Sequence, residues 1–235
     1  MNRYNYSIEY FAKYPDPVSF AKFMLKNEVD NNQLFEFTRI HLIENIPFIL
    51  KNAPLSYQMI RRKLANRLNI DSCSIFIIGS SNIGFSMATN PKYGTIYTKD
   101  SDIDVSIVSD VLFEKSITFF NKWKDEYEGK NISPKPLEKK FWDDNLITVS
   151  NNITRGFIDS YKIPNLYDDY NVNQSLYLFS KDLANALETT DKFNVSARIY
   201  KDWKSFEKQY LINLNYCKQS LNNNYLELLK TKLTT

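Results

Sequence analysis

Two short apolar runs joined by a glycine-serine turn constrain this chain more than any other feature. Ile75-Phe76-Ile77-Ile78 runs into Gly79-Ser80-Ser81, and after a polar connection comes Ser101-Asp102-Ile103-Asp104-Val105-Ser106-Ile107-Val108. Runs of this length, rich in β-branched residues and bounded by turn formers, read as buried strands. Side chains alternate along a strand, so Ile103, Val105 and Ile107 are expected in a core, with Asp102 and Asp104 together on the opposite face. Paired carboxylates repel unless a cation neutralises them. A hard divalent ion with oxygen ligands and substrate phosphates suits that task, Mg²⁺ or Mn²⁺. The Gly-Ser-Ser turn, with a short helix expected over Asn82 to Met87, offers backbone N–H groups and hydroxyls of the kind that bind phosphate. Taken singly, Asp-x-Asp and Gly-Ser-Ser are also ordinary turn chemistry. Their succession along one stretch is what carries weight.

Other classes of chemistry find little support. His41 is the only histidine, so a histidine-based triad and a multi-histidine metal site are unsupported. There is no Gly-x-x-x-x-Gly-Lys-Ser/Thr loop and no Gly-x-Gly-x-x-Gly turn. Cys73 and Cys217 are too few and too far apart for a disulfide framework or a zinc site, and Cys73 is expected as a small buried hydrophobe. The net charge of +3 permits an anionic partner without demanding one. No apolar targeting segment and no membrane-length apolar run is seen, which makes the cytoplasm the default expectation.

At 235 residues with 43% apolar content, the chain is long enough for one large or two small domains. Asp16-Pro17 is expected to open a helix, Asn31 or Asn32 a second that Pro47 ends or kinks, and Pro54 a third. The third buries Ile60, Leu64 and Leu68 and lines its polar side with Arg61, Arg62, Lys63 and Arg67, a solvated face or a contact for phosphates or RNA. Asp110 is expected to cap a long helix with an apolar stripe of Leu112, Phe113, Ile117, Phe120 and Trp123. A further helix over Leu137 to Val149 turns Phe141, Trp142 and Leu146 inward. A helix from Asp169 packs Leu176, Phe179 and Leu183, and a strand ends at Tyr200 with Ser196, Arg198 and Tyr200 on one face. Leu226 to Thr235 is expected to fray.

Gly79-Ser80 followed by Asp102-Ile103-Asp104 resembles the signature of the DNA polymerase beta-like nucleotidyltransferase superfamily. The phrase Gly-Ser-x-x-Ile-Gly-Phe-Ser with a later Ser-Asp-Ile-Asp-Val is also similar to a group of bacterial nucleotidyltransferase-domain proteins. The resemblance covers Ile75 to Val108 and is loose elsewhere. It departs from compact members in its long connection, Ser81 to Ser101, which fits an inserted loop over Thr89 to Lys99. The resemblance implies an α+β fold: a small mixed or antiparallel sheet with flanking helices, plus helical N- and C-terminal segments. The segments are 1–70, 71–165 (the nucleotidyltransferase core) and 166–235, the last closing the cleft. It implies an enzyme that moves a nucleoside monophosphate from an NTP such as ATP to an acceptor hydroxyl, releasing pyrophosphate. Gly79, Ser80 and Ser81 would hold the phosphates, and Asp102 and Asp104 the Mg²⁺ or Mn²⁺. The superfamily's third acid matches Asp159 in Phe157-Ile158-Asp159, ahead of Asp143, Asp144, Asp168 and Asp169. A cation for the triphosphate is sought in Arg198, Lys201 or Lys204, and an aromatic for the base in Tyr200 or Trp203. The acceptor, whether RNA, protein, small molecule or second nucleotide, stays open. So does a non-catalytic alternative, a nucleotide- or protein-binding member acting with a partner in a toxin–antitoxin or defence system.

Overall fold

A computed structural model describes residues 14–25, 30–89, 91–164, 167 and 171–234. Asp168 and Asp169 lie outside the described residues. The described chain is α+β, with nine α-helices and one four-stranded mixed sheet. In chain order the elements are α1 (Pro17–Leu25), α2 (Asn31–Thr38), α3 (Pro54–Leu68), β1 (Ile75–Ile78), α4 (Ser80–Ile83), β2 (Ile103–Val108), α5 (Asp110–Glu128), α6 (Lys139–Thr154), β3 (Phe157–Asp159), α7 (Val172–Ala186), β4 (Val195–Tyr200), α8 (Trp203–Ser220) and α9 (Asn223–Thr234). The strand order is β1-β2-β4-β3, which puts β2 and β4 inside the sheet. No described helix is long and apolar enough to cross a membrane.

The chain divides into two compact units, and the division falls inside α3, β1, β2 and α8. The first takes the described parts of Met1–Tyr57, Ile77–Ile103 and Tyr210–Thr235. Its core is aromatic: Phe20 packs on Phe37 with ring centroids 4.8 Å apart and on Phe85 at 5.9 Å, and Phe85 meets Tyr93 at 5.9 Å. Asp16 starts α1 by accepting from the Ser19 N–H, and Asp30 caps α2 in a reciprocal capping box with Gln33. The connection before β2 is a built structure and not a loose loop. Phe85 and Ile96 form an antiparallel bridge, Tyr93 is buried, and its hydroxyl donates to the Pro17 carbonyl at 2.8 Å. The Tyr225 hydroxyl donates to the Tyr93 carbonyl at 2.7 Å, and Leu229 lies against Gly94. These contacts seat the C-terminal helix: α9 packs on α1 and buries Leu226 and Leu229.

The second unit is Gln58–Phe76 and Asp104–Gln209. Helices α5, α6 and α7 pack on β3 and β4. Four of the five residues expected in the stripe of α5, Leu112, Phe113, Phe120 and Trp123, are buried, each apolar side chain contributing about 1.5–3 kcal/mol, while Ile117 is half-buried. Ser109, and not Asp110, is its cap, accepting from the Leu112 N–H at 3.2 Å. Trp142 of α6 meets Trp123 edge-on at 5.5 Å, but Phe141, in the first turn of the helix, is 44% exposed where an inward side chain was expected. Cys73 is exposed, contrary to expectation. It sits in the turn Ser72–Ser74, whose start is fixed by Asp71 accepting from the Cys73 N–H. Of the basic side of α3, Lys63 and Arg67 are committed within the unit. Both pair with Asp182 of α7, at 2.9 and 2.8 Å.

Candidate functional site

Five of the six residues of β2 are buried, and the exception is Asp104. Burial of Ile103, Val105 and Ile107 follows the period expected of the strand. Ser106 and Val108 are buried too, so β2 is covered on both faces past its first turn of the pleat. An exposed carboxylate on an otherwise buried interior strand has no packing role. The Ser196 hydroxyl of β4 donates to Asp104 Oδ1 at 3.2 Å, which fixes one side of the carboxylate. Asp102 is exposed in the residue position immediately before β2. The two acids flank buried Ile103 in the sequence, and each offers oxygen donors only, the type a hard divalent cation prefers. Among the described residues no three His, Cys, Asp or Glu side chains come together as a metal site.

Asp159 is the last residue of β3 and faces Arg198 of β4 in antiparallel register. Arg198 Nε donates to Asp159 Oδ1 at 2.7 Å. Asn152 Nδ2 of α6 donates to Oδ2 at 3.3 Å, and Lys162 Nζ is 3.9 Å from the same oxygen. Asp159 is 5% exposed. The Arg198 guanidinium lies over the Phe157 ring, 4.4 Å from its centroid, with about a third of the side chain (32%) open to solvent. Burial is the largest influence and disfavours its charge, but Asp159 and Tyr200 together outweigh it and hold the guanidinium's pKa above its ordinary value. Tyr161 follows in the turn Ser160–Lys162. Burial raises its phenol's pKa; the Asp159 and Asp104 carboxylates add to the shift and Arg198 opposes it. Asp104, Asp159, Arg198 and Tyr161 therefore share one electrostatic neighbourhood in the second unit.

Two aromatic expectations separate. Tyr200 is buried, packed on Phe206 at 5.1 Å and Phe157 at 5.8 Å, so no base can stack on it. Trp203 is 41% exposed and touches Phe76 with one edge. Lys201 and Lys204 are exposed at the start of α8. Ser196, Asn152 and Lys162 were missed by sequence reasoning. Ser196 carried a usable signal, since it shares a strand face with Arg198. Asn152 carried none.

The glycine-serine turn belongs to the first unit. Gly79 has φ 71° and ψ −151°, a conformation open to glycine, and caps the four-residue α4. Ser81 is buried and spends its hydroxyl on the Ile78 carbonyl at 3.0 Å, which holds the turn together. Ser80 is half-buried. The short helix thus begins two residues earlier than expected and ends at Gly84, whose φ is +93° and whose Cβ position would press on Phe48.

No family model, no curated protein and no solved structure matches the chain.

Proposed function

We propose that the protein is a metal-dependent nucleotidyltransferase that moves a nucleoside monophosphate from an NTP to an acceptor hydroxyl. The observation that carries this reading is Asp104, an exposed carboxylate on an otherwise buried interior strand, two residues from Asp102 and downstream of a positive-φ Gly79-Ser80 turn. A bound Mg²⁺ or Mn²⁺ would neutralise the attacking and leaving oxygens of an in-line displacement. Asp102 and Asp104 are the residues that would hold it. Gly79 and Ser80 offer backbone N–H groups to phosphate, and Lys201 offers an exposed positive charge. The acceptor hydroxyl gives its proton to water, its oxygen bonds to the α-phosphorus, the bond from that phosphorus to the bridging oxygen breaks, and pyrophosphate leaves. The acceptor is a hydroxyl of RNA, protein, a small molecule or a second nucleotide.

One observation favours a second reading, a nucleotide- or protein-binding member without turnover. Asp159 is engaged by Arg198, Asn152 and Lys162, which leaves Asp102 and Asp104 as the exposed acids of the motif. The two readings part in one assay. The protein is incubated with Mg²⁺ or Mn²⁺ and each α-labelled NTP, with and without total cellular RNA, beside Asp104→Ala. Label transferred to RNA, protein or a new small product, and lost in the variant, supports nucleotidyl transfer and names the acceptor. Nucleotide binding with neither transfer nor pyrophosphate release supports the second reading.

A further inference from the structure

We infer that Asp159 is a positioning residue, which holds the Arg198 guanidinium as a fixed, partly exposed cation for the phosphate chain of the nucleotide, and that it is not a metal ligand. The inference rests on the nucleotidyl-transfer reading for the identity of the ligand and concerns a contact within the second unit.

Both carboxylate oxygens of Asp159 are already used, Oδ1 by Arg198 Nε and Oδ2 by Asn152 Nδ2. The carboxylate is nearly inaccessible at 5% exposure, whereas Asp104 two strands away is open. Recruiting Asp159 to a metal ion would strip the guanidinium of its counter-charge while Phe157 still covers one face, and breaking such a pair is strongly unfavourable. The contact through Nε is informative. It spends the inner nitrogen on Asp159 and leaves the two terminal nitrogens for a ligand. A guanidinium clamped by a carboxylate at Nε and covered on one face by a ring has little rotational freedom left. That is the preorganisation a phosphate-binding arginine needs. Lys162, which also donates to Thr148 Oγ1 at 3.1 Å, adds a second positive charge beside the same carboxylate. Arg198 and Lys162 against Asp159 leave one positive charge beside the guanidinium, opposed by the Asp104 carboxylate in the same neighbourhood. Ser196 on the same strand ties the Asp104 carboxylate to the strand that carries Arg198.

The test uses the full chain and two probes. Inorganic tripolyphosphate is titrated without metal at low ionic strength by calorimetry into wild type, Arg198→Gln, Arg198→Lys and Asp159→Asn. Mn²⁺ binding is followed by electron paramagnetic resonance in wild type, Asp159→Asn and Asp104→Ala. We expect Arg198→Gln to abolish tripolyphosphate binding. Arg198→Lys, which lacks Nε, and Asp159→Asn should each weaken it about tenfold, the size of one charge-assisted hydrogen bond. Mn²⁺ affinity should be unchanged in Asp159→Asn and lost in Asp104→Ala. In turnover, Asp159→Asn should raise KM for the NTP with kcat little changed. Asn152→Ala, a milder change at the other oxygen, should move KM the same way by a smaller factor and serves if Asp159→Asn does not fold. A fall in Mn²⁺ affinity in Asp159→Asn as large as that in Asp104→Ala overturns the inference. So does wild type that binds no tripolyphosphate, or Arg198→Gln that binds it as well as wild type. Wild type that binds tripolyphosphate through Arg198 but shows neither Mn²⁺ binding nor transfer instead overturns the nucleotidyl reading and leaves the Asp159–Arg198 assignment standing.

Discussion

Ser196 on β4 donates its hydroxyl to Asp104 on β2 at 3.2 Å, so the exposed carboxylate is held by a neighbouring interior strand. Asp104 contributes little to stability, because its side chain stands in solvent at the one open position of its strand. Its removal should therefore separate activity from folding. We expect Asp104→Ala to cost at least about a hundredfold in turnover, the scale of losing a group that stabilises developing charge. Unfolding free energy should stay within about 0.5 kcal/mol of wild type. Ser196→Ala should cost about two- to tenfold, one neutral-to-charged hydrogen bond. Urea unfolding beside the labelling assay reads both quantities, and full activity in Asp104→Ala would sink the proposed function.

Asp182 tests whether the basic face of α3 is structural. Its side chain is 11% exposed and meets Lys63 Nζ at 2.9 Å and Arg67 Nη2 at 2.8 Å. Removing it leaves two cations facing each other, one of them, Arg67, only 28% exposed. Asp182→Ala should lower stability by about 2–3 kcal/mol. Lys63→Ala should cost less than about 1 kcal/mol, because that partner is more than half exposed and screened. Chemical denaturation measures both. Should Arg67→Ala weaken RNA binding without destabilising the protein, the face is a nucleic-acid contact after all.

What the sequence made legible was local. Pro54 opens α3, most of the α5 stripe is buried, and the runs at Ile75 and Ile103 are strands, because each is written in residues a few positions apart. What it hid was non-local. Asp159 was visible as an acid after a strand, but the Arg198 that faces it lies 39 residues away, and only the antiparallel register brings them together. The connection before β2 looked like an insertion of turn residues. Its order comes from Tyr225, 132 residues from the Tyr93 carbonyl it binds. Tyr200 shows the limit of face reading. It shares a strand face with the half-buried Ser196 and Arg198 side chains, yet Phe206 of the following helix covers it.

The two cysteines should differ in chemistry. Cys73 is exposed, and Cys217 is 1% exposed with its thiol pKa pushed up by burial from 9.0 to about 12. Thiolate is the reactive form, so at pH 8 a disulfide reagent should titrate one thiol quickly and the second only on unfolding. The folded pKa is raised, so folding favours the protonated thiol. That contribution is fully present below about pH 9 and is lost as pH rises through about 12. Two thiols of equal reactivity at pH 8 would contradict this burial.

Gly156 couples the backbone to the Asp159–Arg198 pair. It precedes β3 with φ +82°, its carbonyl accepts from the Lys201 N–H at 2.9 Å, and a Cβ on it would run into the Ser205 side chain, 2.7 Å from its Cβ. Gly156→Ala therefore meets two penalties, a left-handed backbone costing about 1–2 kcal/mol and a collision with α8. Relief of the collision requires β3 to move away from α8, and Phe157 and Asp159 move with it. We expect a total destabilisation of about 2–4 kcal/mol and, in the folded fraction, weaker tripolyphosphate binding, since the clamp on Arg198 shifts. Ser205→Gly in the same chain removes the collision but not the backbone strain. The double variant should recover phosphate binding while remaining about 1–2 kcal/mol less stable than wild type, apart from the cost of glycine in the first turn of α8. Thermal unfolding and calorimetry on the single and double variants separate the two penalties. If Ser205→Gly restores nothing, the close approach of β3 to α8 does not set the position of Asp159.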